Sequence, residues 1–209
     1  SLLAQQGVNV CLLDRSNPFK VDETNKFLGR TAALNLSSIE LIKKLNLWSE
    51  LEIDTTPFKR IYVRDTEGSS PLEFLASDIS QEKLGCVASN NSILEIFSKC
   101  IKDSRNISLQ LDTELKSIRV KKNLVTISCS NGKKIFSKLL VGADGTNSTL
   151  RQLAKINTRT WSYNQRAFVT SLKTEKFHEE TAWQIFTPKG PIALLPFDAN
   201  KESNISLIW

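Results

Sequence analysis

The last part of the chain alternates between apolar and polar residues in the manner of β-strands. The stretches 165–174, 181–187, 191–197 and 204–209 alternate or run apolar, with turn residues at 188–190 and 198–200. Strands separated by short turns of this kind pair with their neighbours in the antiparallel sense. The pattern therefore predicts an antiparallel sheet at the end of the chain.

The start of the chain has a different pattern, in which a helical stretch over 1–6 and Gly7 precede a continuous apolar run over 8–13. A helix that leads into a buried strand of this type is half of a βαβ unit. The other half would be a strand and a glycine-rich turn ahead of Ser1. We therefore expect the sequence to be a fragment that begins inside the first helix.

The middle of the chain mixes helical and strand patterns. Helical spacing of apolar residues predicts helices over 37–45 and 92–101, the first opened by a capping box at Ser37 and Glu40 and the second by Asn90 or Asn91. Between these helices, alternation over 58–64 and 71–76 around a turn predicts a hairpin. Short strands over 107–111, 115–120, 124–129 and 133–136 follow, and the last three form a meander.

A short apolar strand is predicted over 138–143, and Ser148 and Thr149 open a helical pattern after it. The joining segment reads Gly142-Ala143-Asp144-Gly145-x-x-Ser148-x-x-Arg151. Glycines let the backbone come close to a ligand, and the helix start presents unpaired N–H groups to it. Asp144 supplies an acceptor for sugar hydroxyls. The alternative is an ordinary strand–turn–helix corner in which Asp144 and Ser148 are caps.

Composition and charge narrow the class of protein. The chain has 209 residues, 40% hydrophobic and 24% charged, which is typical of a globular protein. Its net charge of +6 comes from scattered basic residues, which argues against a nucleic-acid surface and leaves a modest attraction to anionic lipid headgroups open. No apolar run reaches the ~20 residues of a membrane-spanning helix, and no signal peptide is visible.

The four cysteines show no C-x-x-C spacing, and the chain has one histidine, His178. This pattern argues against a zinc site and indicates free thiols in a reducing compartment. A loop histidine beside Phe177 is more often a surface or packing residue than a general base. We therefore expect His178 to have no catalytic role.

The segment from Gly142 to Arg151 resembles the second fingerprint of the flavoprotein aromatic hydroxylases, which are single-component FAD monooxygenases. The resemblance implies that Asp144 lies on the pyrophosphate and ribityl side of FAD, between Gly142 and Gly145. Asp14, at the end of the strand over 8–13, would then accept the ribose hydroxyls of the dinucleotide. Taken alone, Asp14 is equally well a solvated acid at a strand end.

Two further stretches are similar to flavin hydroxylases of ubiquinone biosynthesis. The first is 29–34 with the helix behind it, where the resemblance places Arg30 against the FAD, although a surface cation is the alternative. The second runs from Tyr163 to Pro196 and includes Ala182-x-Gln184-x-Phe186. The implied fold is α/β (α+β overall), with a Rossmann-like FAD-binding domain over 1–57 and 84–157. An antiparallel β-sheet substrate domain is expected over 58–83 and 158–209.

The function that this resemblance implies is hydroxylation of a polyprenylated phenol by FAD through a flavin hydroperoxide, with NAD(P)H or another electron donor. The chemistry is borne by the flavin, so no catalytic side chain and no metal are expected. The resemblance also implies a cytoplasmic protein. We expect it to associate with an assembly of ubiquinone-biosynthesis enzymes and to contact the inner face of the membrane peripherally. The later Gly-Asp segment of this family is absent, so weak FAD binding by the fragment is expected.

Two alternatives stay open at this point. One is a related flavoprotein that acts on a small phenol or on a prenyl chain. The other is a non-catalytic, prenyl-binding scaffold on the same fold. Turnover of prenylated against simple phenols separates the first from the leading hypothesis, and a colourless protein would favour the second.

Overall fold

The computed structural model describes residues 2–19, 30–68, 70–197 and 203–209. The helices are α1 (Leu2–Gln5), α2 (Leu36–Lys44), α3 (Trp48–Leu51), α4 (Asn90–Lys102) and α5 (Thr149–Leu153). The strands are β1 (Val10–Leu13), β2 (Thr31–Asn35), β3 (Thr55–Phe58), β4 (Arg60–Asp65), β5 (Leu72–Leu75), β6 (Gly85–Ser89), β7 (Ile107–Gln110), β8 (Leu115–Lys121), β9 (Leu124–Cys129), β10 (Lys134–Ser137), β11 (Val169–Lys173), β12 (Thr181–Thr187), β13 (Gly190–Pro196) and β14 (Asn204–Ile208). This mixture confirms the predicted α/β class.

Contacts divide the chain into two compact units. The smaller unit contains 3–20 and 104–165, and the larger contains 1–2, 21–103 and 166–209. Each unit is a group of residues that are in contact mainly with one another. The predicted limits of the FAD-binding and substrate domains stay a prediction. The turn predicted at 198–200 lies outside the described residues.

The smaller unit contains the predicted parallel strand and meander. β1 pairs in parallel with β7, from Val10 opposite Ile107 to Leu13 opposite Gln110. Strands β8, β9 and β10 form an antiparallel sheet in the order β10-β9-β8. The parallel character of β1 was expected from the apolar run over 8–13, and the meander from the turns between the later strands. The pairing of β1 with β7 was not predicted.

The strand predicted over 138–143 is wrong. β10 ends at Ser137, and no described strand pairs with the residues that follow. Leu139 and Val141 are 72% and 66% exposed, although the stretch is apolar. A strand is stabilised by ladder hydrogen bonds to a neighbour, so apolar composition alone does not produce one.

The larger unit is built on a six-stranded sheet in the order β11-β14-β13-β12-β4-β5. Neighbouring strands of this sheet run antiparallel, as predicted, with one exception. The exception is the pair β4 and β12, which is parallel and places Thr181 opposite Arg60. The β4–β5 pair is the hairpin expected from the alternation over 58–76. The parallel joint was not predicted, because β4 and β12 are far apart in the sequence.

A second, three-stranded sheet in the order β2-β6-β3 lies in the same unit. All five residues of β6 are buried, and helices α2, α3 and α4 contribute to a core with this sheet. The buried residues of that core include Ile39, Leu51, Cys86 and Ile96. The sequence Gly-Cys-Val-Ala-Ser has no alternation because both faces of β6 are covered, which explains why the strand was missed.

The helix starts differ by a residue or two from those predicted. Asn35, not Ser37, caps α2 by accepting a hydrogen bond from the Ser38 backbone N–H. Ser89, not an asparagine, caps α4 by accepting from the Asn91 N–H at 3.1 Å. Both capping residues are the last residues of strands, so each strand leads directly into its helix.

The two sheets of the larger unit share a core. Phe58 and Val87 from the small sheet pack with Ala182 and with Phe197, which follows β13. The Thr31 hydroxyl of the small sheet also donates to Ser206 Oγ of β14 over 2.8 Å. One face of the six-stranded sheet is therefore partly covered by the three-stranded sheet.

Candidate cofactor site

The loop between β10 and α5 is organised by the carboxylate of Asp144. The Ser148 hydroxyl donates to Asp144 Oδ1, and the backbone N–H of Leu150 donates to Oδ2 at 3.1 Å. Ser148 Oγ in turn accepts from the Arg151 N–H at 3.0 Å, so the buried Ser148 is the N-cap of α5. Asp144 and Ser148 therefore cap α5, and the cofactor role predicted for Asp144 stays a prediction.

These contacts favour the ionised form of Asp144. The hydrogen bond from Ser148 lowers the pKa of the Asp144 carboxyl below its ordinary value, and backbone N–H donors including Leu150 lower it further. Hydrogen bonds to a carboxylate stabilise the charged form, which produces this direction. At neutral pH the loop therefore presents an exposed negative charge in a defined position.

The glycines of the loop have different roles. Gly145 has φ +80°, and no atom lies within 4 Å of the position that a Cβ would occupy. A Cβ on Gly142 would meet Leu150 Cδ2 at 3.2 Å. Gly145 therefore supplies the left-handed turn and an open backbone, while Gly142 makes room for the first turn of α5.

This loop fits the ribityl and phosphate side of FAD. The Asp144 carboxylate accepts from the Ser148 hydroxyl and from backbone N–H groups that include those of Leu150 and Thr149. The side chain is exposed, and the backbone at Gly145 is open to a ligand. The capping role of Asp144 therefore leaves room for a sugar hydroxyl.

Asp14 follows β1 at the carboxyl end of the β1–β7 parallel pair, which is where ligands bind in open α/β sheets. Its N–H donates to Gln110 O at 3.0 Å, and its carbonyl accepts from the Thr113 N–H at 2.9 Å. Ser16 donates to Asp14 Oδ1 through both its N–H and its hydroxyl. Among the described residues none donates to Oδ2, so that oxygen has capacity for a ribose hydroxyl.

Arg30 belongs to the larger unit, whereas Asp14, Gly142, Asp144 and Gly145 belong to the smaller one. Its side chain is exposed, and its carbonyl accepts from the N–H of Asn90, the first residue of α4, at 2.9 Å. The Arg30 backbone therefore lies beside the N-terminus of the 13-residue helix α4, whose positive end suits an anionic group. Ser89 was missed as the N-cap of this helix, although a serine before a helical pattern is a usual N-cap signal.

His178 is a packing residue of the larger unit. It is buried, its ring lies 4.2 Å from that of Phe177, and its Nδ1 accepts from the Glu180 N–H at 3.1 Å. In the described part of the chain, no three His, Cys, Asp or Glu side chains group in a way that would hold a metal ion. The described helices also include none that is both long and apolar enough to cross a membrane.

Comparisons of the chain with known proteins agree on one family. The profile of the FAD binding domain family matches residues 1–209. The chain is 27% identical to 3-demethoxyubiquinol 3-hydroxylase of Escherichia coli (strain K12), over 99% of the chain and 52% of that protein. It is 30% identical to ubiquinone hydroxylase UbiL of Rhodospirillum rubrum, over 99% of the chain and 47% of that protein.

The fold is also that of a solved structure, PqsL from Pseudomonas aeruginosa, with a TM-score of 0.80 over 99% of the chain and 55% of PqsL, at 15% identity. The chain spans about half the length of the curated relatives it matches. These relatives confirm the resemblance to ubiquinone-pathway hydroxylases, and the family confirms FAD as the cofactor. The chain belongs to the FAD binding domain family.

Proposed function

We propose that this protein is an FAD-dependent monooxygenase that hydroxylates the aromatic ring of a polyprenylated phenol in ubiquinone biosynthesis. The observation that carries the proposal is similarity over 99% of the chain to two enzymes named as ubiquinone-pathway hydroxylases. The Asp144 loop supports it, because its exposed carboxylate and open backbone suit the dinucleotide. When bound, FAD would supply the oxygen-transfer chemistry, with NAD(P)H as the expected donor.

The residues that would hold the cofactor are Asp14, Arg30, Gly142, Asp144 and Gly145. Asp14 would accept a ribose hydroxyl at Oδ2, and Asp144 would accept from the ribityl side while Ser148 holds its carboxylate in place. Arg30, which belongs to the larger unit, is proposed to contact the FAD on the strength of the resemblance to flavin hydroxylases alone. Gly142 keeps the turn compact against α5, and Gly145 leaves its backbone open to a ligand.

The substrate would bind on one face of the six-stranded sheet. Ala182 packs in the core between the sheets, so Gln184 and Phe186, further along β12, point to the same face. Ala193 lies opposite Gln184, and Pro191 lies opposite Phe186. Phe186 is 46% exposed, so this end of the face is open to an apolar ligand. An apolar wall here would also exclude water from the reacting groups.

The place of the reaction follows from its substrate. A polyprenyl tail keeps the phenol in a bilayer, so the protein would work at the inner face of the membrane from the cytoplasm. Association with other enzymes of ubiquinone biosynthesis is proposed on the same ground. The expected donor, NAD(P)H, is part of this proposal.

The test of cofactor binding is titration of the protein with FAD, followed by the visible absorption of the bound flavin, which also detects weak binding. We expect flavin bands from the wild type and a sharp loss of these bands in Asp144→Ala. The control is Asp54→Ala, which removes an exposed carboxylate after α3 and should keep the bands. A folded wild type that stays colourless after FAD is supplied would refute the proposal and favour the scaffold alternative.

The test of the substrate is turnover of a prenylated phenol against the same phenol without its tail. Phe186→Ala should raise the KM for the prenylated substrate more than for the simple one. Phe136→Ala, which truncates a phenylalanine of 62% exposure on β10, should change neither. Equal turnover of both phenols by the wild type would favour the small-phenol alternative.

A further inference from the structure

The loop 155–163, which follows α5, carries several large apolar side chains on its surface. Ile156, Trp161 and Tyr163 are 61%, 67% and 77% exposed. The Trp161 and Tyr163 rings are in edge-to-face contact, with centroids 6.3 Å apart. Exposed apolar groups that lie close together mark surfaces that contact a partner.

The same loop is positively charged. Lys155 and Arg159 have exposed side chains, and neither forms an ion pair with any residue in the described part of the chain. No Asp or Glu occurs between Gly145 and Thr174, whereas this stretch contains five basic residues: Arg151, Lys155, Arg159, Arg166 and Lys173. The balance is unlike that of the whole chain, in which 28 basic and 22 acidic residues are interspersed.

We infer that the loop 155–163 is a docking surface for an anionic lipid bilayer. Tryptophan and tyrosine concentrate at the interface between headgroups and acyl chains, because each ring has an apolar body and a polar atom. Lysine and arginine beside them are attracted by the negative surface potential of anionic lipids. A protein partner would also bury Trp161 and Tyr163, but a 30-residue stretch without acids favours a uniformly negative surface.

The inference deepens the proposed membrane contact and rests on that part of the proposed function. A polyprenylated phenol is delivered from a bilayer, and a loop that inserts two aromatic rings at the interface would hold the enzyme beside its supply. Binding at the interface requires no spanning segment, because aromatic side chains and basic residues act at headgroup depth. FAD binding is measured on the same samples, so the lipid surface and the cofactor assignment are tested separately.

The experiment is flotation of the FAD-supplied protein with vesicles of phosphatidylcholine alone and of phosphatidylcholine mixed with phosphatidylglycerol. We expect binding to the mixed vesicles and little to the neutral ones. The double variant Lys155→Ala/Arg159→Ala should bind about 30-fold more weakly, because each basic residue near an anionic surface contributes about a factor of five to the binding constant. The matched control removes the same charge from the β8–β9 turn, by Lys121→Ala with Lys122→Ala, and should bind as the wild type does.

The aromatic residues need their own readout. Tryptophan fluorescence should shift to the blue on addition of mixed vesicles, and the shift should be lost in Trp161→Phe while flotation is weakened only slightly. Tyr163→Ser should weaken flotation without loss of flavin absorbance, which shows that the variant is folded. Equal binding to both vesicle types, or wild-type binding by the double alanine variant of the loop, would overturn the inference. So would a second copy of the chain covering the loop, seen as a dimer that Trp161→Ala dissociates while vesicles bind neither form.

Discussion

Replacement of Ser148 by alanine tests how the cofactor loop is held together. The Ser148 hydroxyl accepts from the Arg151 N–H at 3.0 Å and donates to the Asp144 carboxylate. The substitution therefore removes both the N-cap of α5 and the side-chain donor to this carboxylate. Loss of a serine cap costs about 0.5–2 kcal/mol of unfolding free energy. The pKa of Asp144 should rise toward its ordinary value, because the largest cause of its depression has been removed.

The dependence on pH separates the two effects. A carboxyl whose pKa is depressed in the folded state stabilises that state above its unfolded pKa of about 3.9, and this contribution is lost as the pH falls through the folded pKa. The difference in stability between wild type and Ser148→Ala should therefore be largest near neutral pH. In acid it should fall to the part that comes from the cap alone. Because Asp144 is exposed, the ionic part should be the smaller of the two.

The assay is a carbon-13 NMR titration of the Asp144 carboxyl, together with denaturant unfolding at neutral and acid pH. Ser148→Thr is the matched control, since it keeps the hydroxyl and should keep both the low pKa and the cap. An unchanged pKa of Asp144 in the alanine variant would refute the assignment of Ser148 as its main donor. A stability difference that does not depend on pH would show that the carboxylate contributes nothing beyond the cap.

Three further predictions concern the larger unit and the thiols. Gly85→Ala should destabilise the protein by about 1–3 kcal/mol in denaturant unfolding, because the new Cβ would overlap the backbone carbonyl oxygen of Leu34 in β2. Wild-type stability in that variant would contradict the packing described for β6. Leu51→Ala, at a side chain that is fully buried, should cost about 2–5 kcal/mol, whereas Ile53→Ala, at 83% exposure, should cost less than about 0.5 kcal/mol. Burial raises the pKa of the Cys86 thiol, so a maleimide followed by mass spectrometry should modify the exposed Cys11 at neutral pH and reach Cys86 only on unfolding.

The parts of the fold that could be predicted are those coded by neighbours in the sequence. The hairpin β4–β5, the meander and the strands of the final sheet follow from period-two alternation broken by turns. The parallel strand β1 follows from its continuous apolar composition. In each case the pattern lies within a few consecutive residues, so a short window contains the whole signal.

The parts that were missed depend on contacts between distant residues. β6 was not seen as a strand, because its small residues are buried on both faces by elements from elsewhere in the chain. The parallel joint of β4 with β12 brings together positions more than a hundred residues apart. The apolar run over 138–143 shows the converse, since a pattern typical of a strand lacks a paired neighbour among the described residues.

The sequence by itself indicated the family through the resemblance of its motifs, and the same resemblance gave the residues proposed for the cofactor. It also fixed the local turn from Gly142 to Ser148, because glycines, an aspartate and a serine at this spacing encode a turn that leads into a helix. It also determined the basic and aromatic composition of the loop 155–163. Only the tertiary structure decided that Ser148 and Leu150 hold the Asp144 carboxylate, and that Gly145 is open while Gly142 is packed. Hydrogen-bond partners and free space depend on side-chain positions in three dimensions, which a pattern of residue types does not contain.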